Sequence, residues 1–354
     1  MQKWLKAILL CLLLITGSAC SFDHIEEEED TAEEKGKLVL YSPNSDDLVD
    51  VAYAFGERYD IEVTVYSMGT GECLKQIVAE KDAPKADVLY GGLTYSNAYA
   101  YADYFEKYTA EGDVLLPEAY QNTNGVATHY CLDGSAALLI NLNVFESLGL
   151  DPDDFTGYSD LLWPKLEGKI AMGDPTMSSS AWAELTNILL VMGEEPYDEK
   201  AWEFVKDLID QIGQVEQSSS AIYRKTQNGD YAVGISYEDP CVDLIVNGAN
   251  HIRIVYPEEG AVWLPAGAGI IKGCPNEENA RKFIDWLISA EGQETIAETT
   301  ARPVNTSINN TSTRMTPLSE INVVLEDMEM CTMHKEEWEK RWSELYAAAQ
   351  SEEE

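Results

Sequence analysis

The sequence predicts an α/β protein built as two lobes on hinge strands. Three observations carry that expectation. Short apolar strands alternate with amphipathic helices from Lys37 to Gly92. The alternation restarts at Ser135 and continues to Glu298. No low-complexity linker separates the halves. With 354 residues, 45% of them hydrophobic, the chain is long enough for two medium cores.

Each element follows from a local pattern. Leu38 to Tyr41 is a short apolar strand that leaves through SPNSDD, a polar turn. LVDVAYAFGERY sets Leu48, Val51, Ala52 and Phe55 at helical spacing. IEVTVYSM is the second strand, GTG the turn after it, CLKQIVAEK a helix, and ADVLYGG the third strand. This order predicts parallel strands in one layer. Ligands of such sheets sit beyond the carboxyl ends of the strands, which puts loops 42–46, 67–71 and 91–95 at the candidate edge.

In the second half, SAALLINLNVF is strand-like, and KIAMGDPTMSSSAWAELTNILLVMG reads strand, polar turn, long helix. AWEFVKDLIDQI is a helix and YAVGISYEDP a strand ending in a polar turn. HIRIVYPEEG and GAGIIKG are further strands. NEENARKFIDWLISAEGQETIAE reads as one helix with Ala280, Phe283, Ile284 and Ile288 on one side.

The first 20 residues read as a leader. Lys3 and Lys6 precede AILLCLLLI, an apolar run too short to span a bilayer comfortably. Gly17, Ser18 and Ala19 then lead to Cys20, as in a bacterial lipoprotein signal whose Cys carries the lipid. Gly17 departs from the leucine-like residue usual there, and an ordinary cleaved signal is the alternative. Residues 21–36 are acidic and aperiodic, as expected of a tether. Charge narrows the partners: 24 Lys+Arg against 63 Asp+Glu, net −39, argues against nucleic acid and against a lasting hold on anionic lipid. Cys73, Cys131, Cys241, Cys274 and Cys331 remain beyond the leader, an odd set with no Cys-x-x-Cys, so at least one thiol stays unpaired within the chain.

Two turns look like seats for an anion. GTG, Gly69 to Gly71, opens a helix but is followed by Glu72, so it is no Walker loop. What it offers is free N–H groups, the positive helix end and the Thr70 hydroxyl. The alternative is a glycine turn required only by strand–helix geometry. In GDPTMSSSAWAE, Thr176 to Ser180 put hydroxyls at a second helix start, where such residues also serve as caps. YEDP, Tyr237 to Pro240, offers carboxylates for hydroxyls or an amine, or is a plain turn with a solvated Glu. Ser42, Asn44, Gln217 and Ser218 are further candidates, and Asp133 lies near the expected hinge.

These pieces in this order resemble the extracytoplasmic solute-binding proteins of ABC importers, in the branch of ferric-iron, phosphonate and sugar-phosphate binders. The resemblance runs from about Lys37 to Arg302 and rests on GTGECLKQIVAEK with ADVLYGG, KIAMGDPTMSSSAWAE, GDYAVGISYEDP with IVYPEEG, and NARKFIDWLISAEGQE before ARPV. It implies a two-lobed periplasmic-binding-protein fold (type II, Venus-flytrap) whose lobes exchange chain. The expected division is 37–132 with 253–305 in lobe 1 and 133–252 with 306–354 in lobe 2. Trp338 and Trp342, at helical spacing, would pack on the second lobe.

The resemblance also implies a ligand role for Ser67, Gly69, Thr70 and Gly71, for Thr176, Ser178 and Ser179, and for Tyr237 and Glu238, with Glu238 preferred over Asp239. It implies a small phosphorylated or phosphonate solute, an ABC permease as partner, a monomer and no cofactor. Ferric binders use adjacent tyrosines, whereas this chain has Tyr237-Glu238, which makes iron the alternative cargo. A competing class is an extracellular phosphoryl or glycosyl hydrolase using Glu238 or Asp239, and another is a lipoprotein that senses a ligand for a membrane kinase. Neither a Gly-x-Ser-x-Gly elbow nor a His-Glu-x-x-His motif is present.

Overall fold

A computed structural model describes residues 35–312 and 314–352. The expected leader, the expected lipid site at Cys20 and nearly all of the expected tether fall outside the described residues. Lobe 1 opens with β1 (Gly36–Ser42), α1 (Asp46–Tyr59), β2 (Ile61–Ser67), α2 (Thr70–Ala79) and β3 (Val88–Tyr90). Strands β2 and β3 both pair parallel to β1, as the strand–helix alternation requires. The sheet is extended by β4 (Thr128–Gly134), β10 (Ala261–Ile270), β11 (Arg302–Pro303) and β12 (Val323–Val324), giving the order β11-β4-β10-β3-β1-β2 with β12 beside β10. Leu48, Val51, Ala52 and Phe55 of α1 are all buried, and Phe55 meets Phe283 edge-on at 5.1 Å.

Lobe 2 is a second sheet, ordered β7-β6-β8-β5-β9. Its strands are β5 (Ala137–Asn141), β6 (Ile170–Gly173), β7 (Ile212–Glu216), β8 (Val233–Ser236) and β9 (Ile252–Val255). Around it pack α5 (Ser179–Val191), α6 (Glu199–Gln211), α7 (Ser219–Asn228), α8 (Glu238–Val246) and α11 (Met328–Glu352). Its core is separate from that of lobe 1 and includes Ile140, Met172, Leu185, Trp202, Trp338 and Trp342.

The chain passes between the sheets at β4–β5, between β9 and β10, and between β12 and α11. The first two crossings are tied together, because the Ser135 N–H and hydroxyl both donate to the Val262 carbonyl. The expected boundaries shift accordingly. Val255 pairs with Leu138, so Arg253 to Val255 belong to the second sheet, and the return crossing lies in 256–260. At the other end, Val323 pairs with Ala261, so chain beyond 306 stays with lobe 1 until α11 begins.

Two helix expectations are also corrected. The segment after Asn276 is two helices, α9 (Glu277–Leu287) and α10 (Ala290–Ile296), because the Ser289 hydroxyl caps a new start by accepting from the Gly292 N–H. Gly292 is needed there: a Cβ would fall 2.0 Å from the Trp286 carbonyl oxygen. YEDP is not a terminal turn but the opening of α8, where Pro240 sits in the first turn and its missing N–H has no helical partner to lose. All five described cysteines are free and buried.

Candidate functional site

The parallel strands of both lobes end at the interlobe cleft, and the helix starts that follow them carry most of the predicted residues. At β1, Ser42 is fully buried and donates to the Tyr90 carbonyl at 2.7 Å, so it joins strand ends. Asn44 is fixed by the Tyr130 hydroxyl, which donates to its Oδ1 at 2.9 Å, while its buried Nδ2 has no partner. Gly91, with φ +96°, makes room for it: a Cβ there would lie 2.3 Å from the Asn44 oxygen.

The GTG turn behaves differently. Gly69 is the N-cap of α2 at φ −62° and ψ 151°, a conformation open to any residue. Gly71 has no positive φ either. A Cβ on Gly69 or Gly71 would meet nothing within 4 Å. Neither turn geometry nor internal packing therefore requires these glycines, and both leave the backbone N–H groups unshielded. Ser67 is exposed beside them.

In lobe 2 the hydroxyls are largely spent on local structure. Ser178 caps α5 by accepting from the Ala181 N–H at 3.3 Å and pairs with Ser180 at 3.0 Å. Thr176 donates through both N–H and hydroxyl to Asp174, at 2.8 and 2.7 Å. Gln217 and Ser218 are exposed, and Ser218 pairs with Ser220 at 2.8 Å. Tyr237 is the N-cap of α8, its ring edge-on to Tyr223, and burial raises its pKa.

Glu238 is a joint between the lobes. It is 2% exposed and Arg302 3% exposed. Arg302 Nε donates to one carboxylate oxygen at 2.7 Å, and an Arg302 Nη donates to the other. Trp263 Nε1 at 3.2 Å and the Tyr256 hydroxyl complete the shell. Arg302 also lies over the Trp263 ring at 5.4 Å and donates to the Thr316 carbonyl. Both oxygens of Glu238 are engaged by side chains from lobe 1 and the crossing segment, whereas Asp239 accepts from Thr300 at one oxygen.

Two cavities occupy the cleft, each lined in part by residues of β10. One, about 350 Å³, is bounded by Thr70, Gly92, Thr94, Ser179, Trp182 and Lys335, with Leu264 and Pro265 at its floor. The other, about 400 Å³, is bounded by Asn44, Cys131, Asp133, Tyr237, Asp239 and Thr300, with Ala266 and Glu238 also at its wall. Ser42, Ser67, Gly69, Gly71, Thr176, Ser178, Gln217 and Ser218 line neither.

The second cavity is acidic. Asp133 is open to the cleft yet closely surrounded by protein, and that crowding, with Asp239 and then Glu238 nearby, pushes its pKa up to about 7. Burial also raises Asp239, against the Thr300 hydroxyl that donates to it. Thr300 and Lys335, which also line these cavities, lie in no recognisable sequence motif. Only the fold brings the β11 approach and the C-terminal helix to the cleft.

A family model described as bacterial extracellular solute-binding protein matches residues 50–317. An uncharacterized protein of Haemophilus influenzae is 29% identical over 269 residues, 75% of this chain and 76% of its own. A probable ABC transporter periplasmic-binding protein of Sinorhizobium fredii is 22% identical over 72% of this chain and 70% of its own. Among solved structures, the periplasmic binding protein AfuA of Actinobacillus pleuropneumoniae, with exogenous fructose-6-phosphate bound, is 25% identical with a TM-score of 0.71, covering 89% of this chain and 99% of AfuA.

Proposed function

Because this chain belongs to the bacterial extracellular solute-binding protein family and serves as a solute-binding receptor of an ABC transporter, we propose that its cargo is a small organic phosphate or phosphonate. The anionic group sits at the start of α2, and a hydroxyl- or amine-bearing part reaches Asp133 and Asp239. The observation that carries this reading is the polarity of the cleft. One end is lined by Thr70 and Ser179, at the starts of α2 and α5, whose hydroxyls can donate; the other is lined by Asp133 and Asp239, which accept once ionised. The free backbone at Gly69 and Gly71 supports it, and so does the sugar phosphate bound by AfuA.

A net charge of −39 does not oppose such a seat. Local donors act at contact range, whereas distant surface charge is screened within about 8 Å at physiological salt. The receptor is held outside the cytoplasmic membrane by lipid on Cys20, passes its solute to the permease as a monomer, and is not an enzyme.

Native mass spectrometry of gently purified protein is expected to show a retained phosphorus-containing solute. Calorimetry on stripped protein should show binding of fructose 6-phosphate or an aminoalkylphosphonate, without phosphate release. Tight binding of ferric citrate with no response to any phosphorylated compound would overturn the cargo, and turnover would overturn the receptor-only role. Cys20→Ser should release the chain into the medium; a processed variant that stays on the membrane would remove the anchor.

A further inference from the structure

The family match ends at residue 317, but the wall of the 350 Å³ cavity does not. Glu326, Met328, Cys331, Thr332 and Lys335 complete it. Four of these belong to α11, which is firmly seated on lobe 2. Trp338 and Trp342 are buried at 5% and 2% exposure. Tyr197 stacks on Trp338 at 5.1 Å. Arg341 lies over Trp202 at 4.5 Å and donates to both oxygens of Glu199.

Lys335 is the only lysine or arginine lining either cleft cavity among the described residues. Its ammonium lies 5.3 Å from the centre of the Trp182 ring, itself part of the cavity wall. Among the described residues its carboxylate partner is Glu339, loosely placed at 3.7 Å, one helical turn on. The Lys335 side chain is 47% exposed, so turning toward a bound anion breaks no buried contact. The single carboxyl in the same cavity wall, Glu326, has a buried Oε1 without a partner, and burial raises its pKa, which weakens it as a rival for the ammonium.

We propose that Lys335 supplies the fixed positive charge that pairs with the anionic group of the solute, so that the C-terminal helix is a working wall of the binding site. This rests on the phosphate or phosphonate reading above. A lone ammonium on a flexible stem acts as a point charge, suited to a phosphoryl group that also takes N–H groups from α2. It makes Lys335 a specificity residue: it favours anionic solutes over neutral sugars of the same shape.

The test is calorimetry on the processed chain with fructose 6-phosphate, 2-aminoethylphosphonate and, as the uncharged control, fructose. Lys335→Met keeps the aliphatic stem over Trp182 and removes the charge. It is expected to weaken binding of the phosphorylated probes by roughly 10- to 100-fold, with Lys335→Arg close to wild type and the thermal midpoint unchanged. The salt dependence of binding should become shallower in Lys335→Met than in wild type. Wild-type affinity for the phosphorylated probes in Lys335→Met would overturn the role of Lys335 and leave the cargo reading standing. Failure of wild type to bind either phosphorylated probe would overturn the cargo reading and this inference together.

Discussion

Two helix starts face the cleft from opposite lobes, and they are used in opposite ways. At α2, a Cβ on Gly69 or Gly71 would meet nothing within 4 Å, and Thr70 borders a cavity. At α8, Glu238 is locked to Arg302, Trp263 and Tyr256, and Asp239 accepts from Thr300. From the sequence both look like polar turns after an apolar strand. The difference is that one start spends its polar groups inside the protein, whereas the other has no side-chain cap. The start of α5 lies between: Ser178 is consumed as a cap, while Ser179 borders the cavity. A helix start at a sheet edge is therefore not yet a binding site; its free donors must be counted.

Breaking the α8 joint should give the largest effect. Glu238→Ala leaves the Arg302 guanidinium buried without its carboxylate, so a loss of about 3–5 kcal/mol is expected in chemical denaturation. Thr70→Ala, by contrast, removes no hydrogen bond of the free protein and should change stability by less than about 0.5 kcal/mol. Equal losses for the two would erase the distinction between joint and seat.

The seat is probed by Gly69→Val. The backbone angles at Gly69 suit valine and its Cβ meets no neighbour, so the fold should tolerate it. Affinity for phosphorylated solutes should fall by more than the roughly 10-fold expected from losing one charge-assisted hydrogen bond in Thr70→Ala. Unchanged affinity in Gly69→Val would mean that no ligand approaches the α2 backbone.

The smallest effect is a pH dependence from the acidic end. Asp133 is raised from the ordinary 3.8 to about 7. Its folded pKa therefore exceeds its unfolded one, and its contribution to stability is full below about pH 4 and is lost as pH rises toward 7. Binding of an amine-bearing solute should run the other way and strengthen as Asp133 ionises through about pH 7. Asp133→Asn should flatten both profiles in calorimetry and thermal melts. A profile that survives in Asp133→Asn would assign it to Asp239 or another group.

The periodicity of Leu48, Val51, Ala52 and Phe55 was readable as a buried helix face because burial of an amphipathic stripe is a local property. The same holds for the strand–helix alternation, for the apolar strand ends, and for the Trp338 and Trp342 spacing that seats α11. The fold class and the location of the cleft edge follow from such patterns. Which side chains are free in the cleft does not. Glu238 and Asp239 are adjacent and alike in charge, yet Arg302, 64 residues from Glu238, claims one of them. Asp133 owes its raised pKa first to the protein crowded around it and then to Asp239 and Glu238, more than a hundred residues away. Lys335 reaches the cavity because the chain passes from β12 back to lobe 2. Periodicity records the environment of a residue's own helix or strand, whereas hydrogen-bond occupancy and electrostatic coupling are set by whichever distant segment folds against it, and only the tertiary structure decides which segment that is.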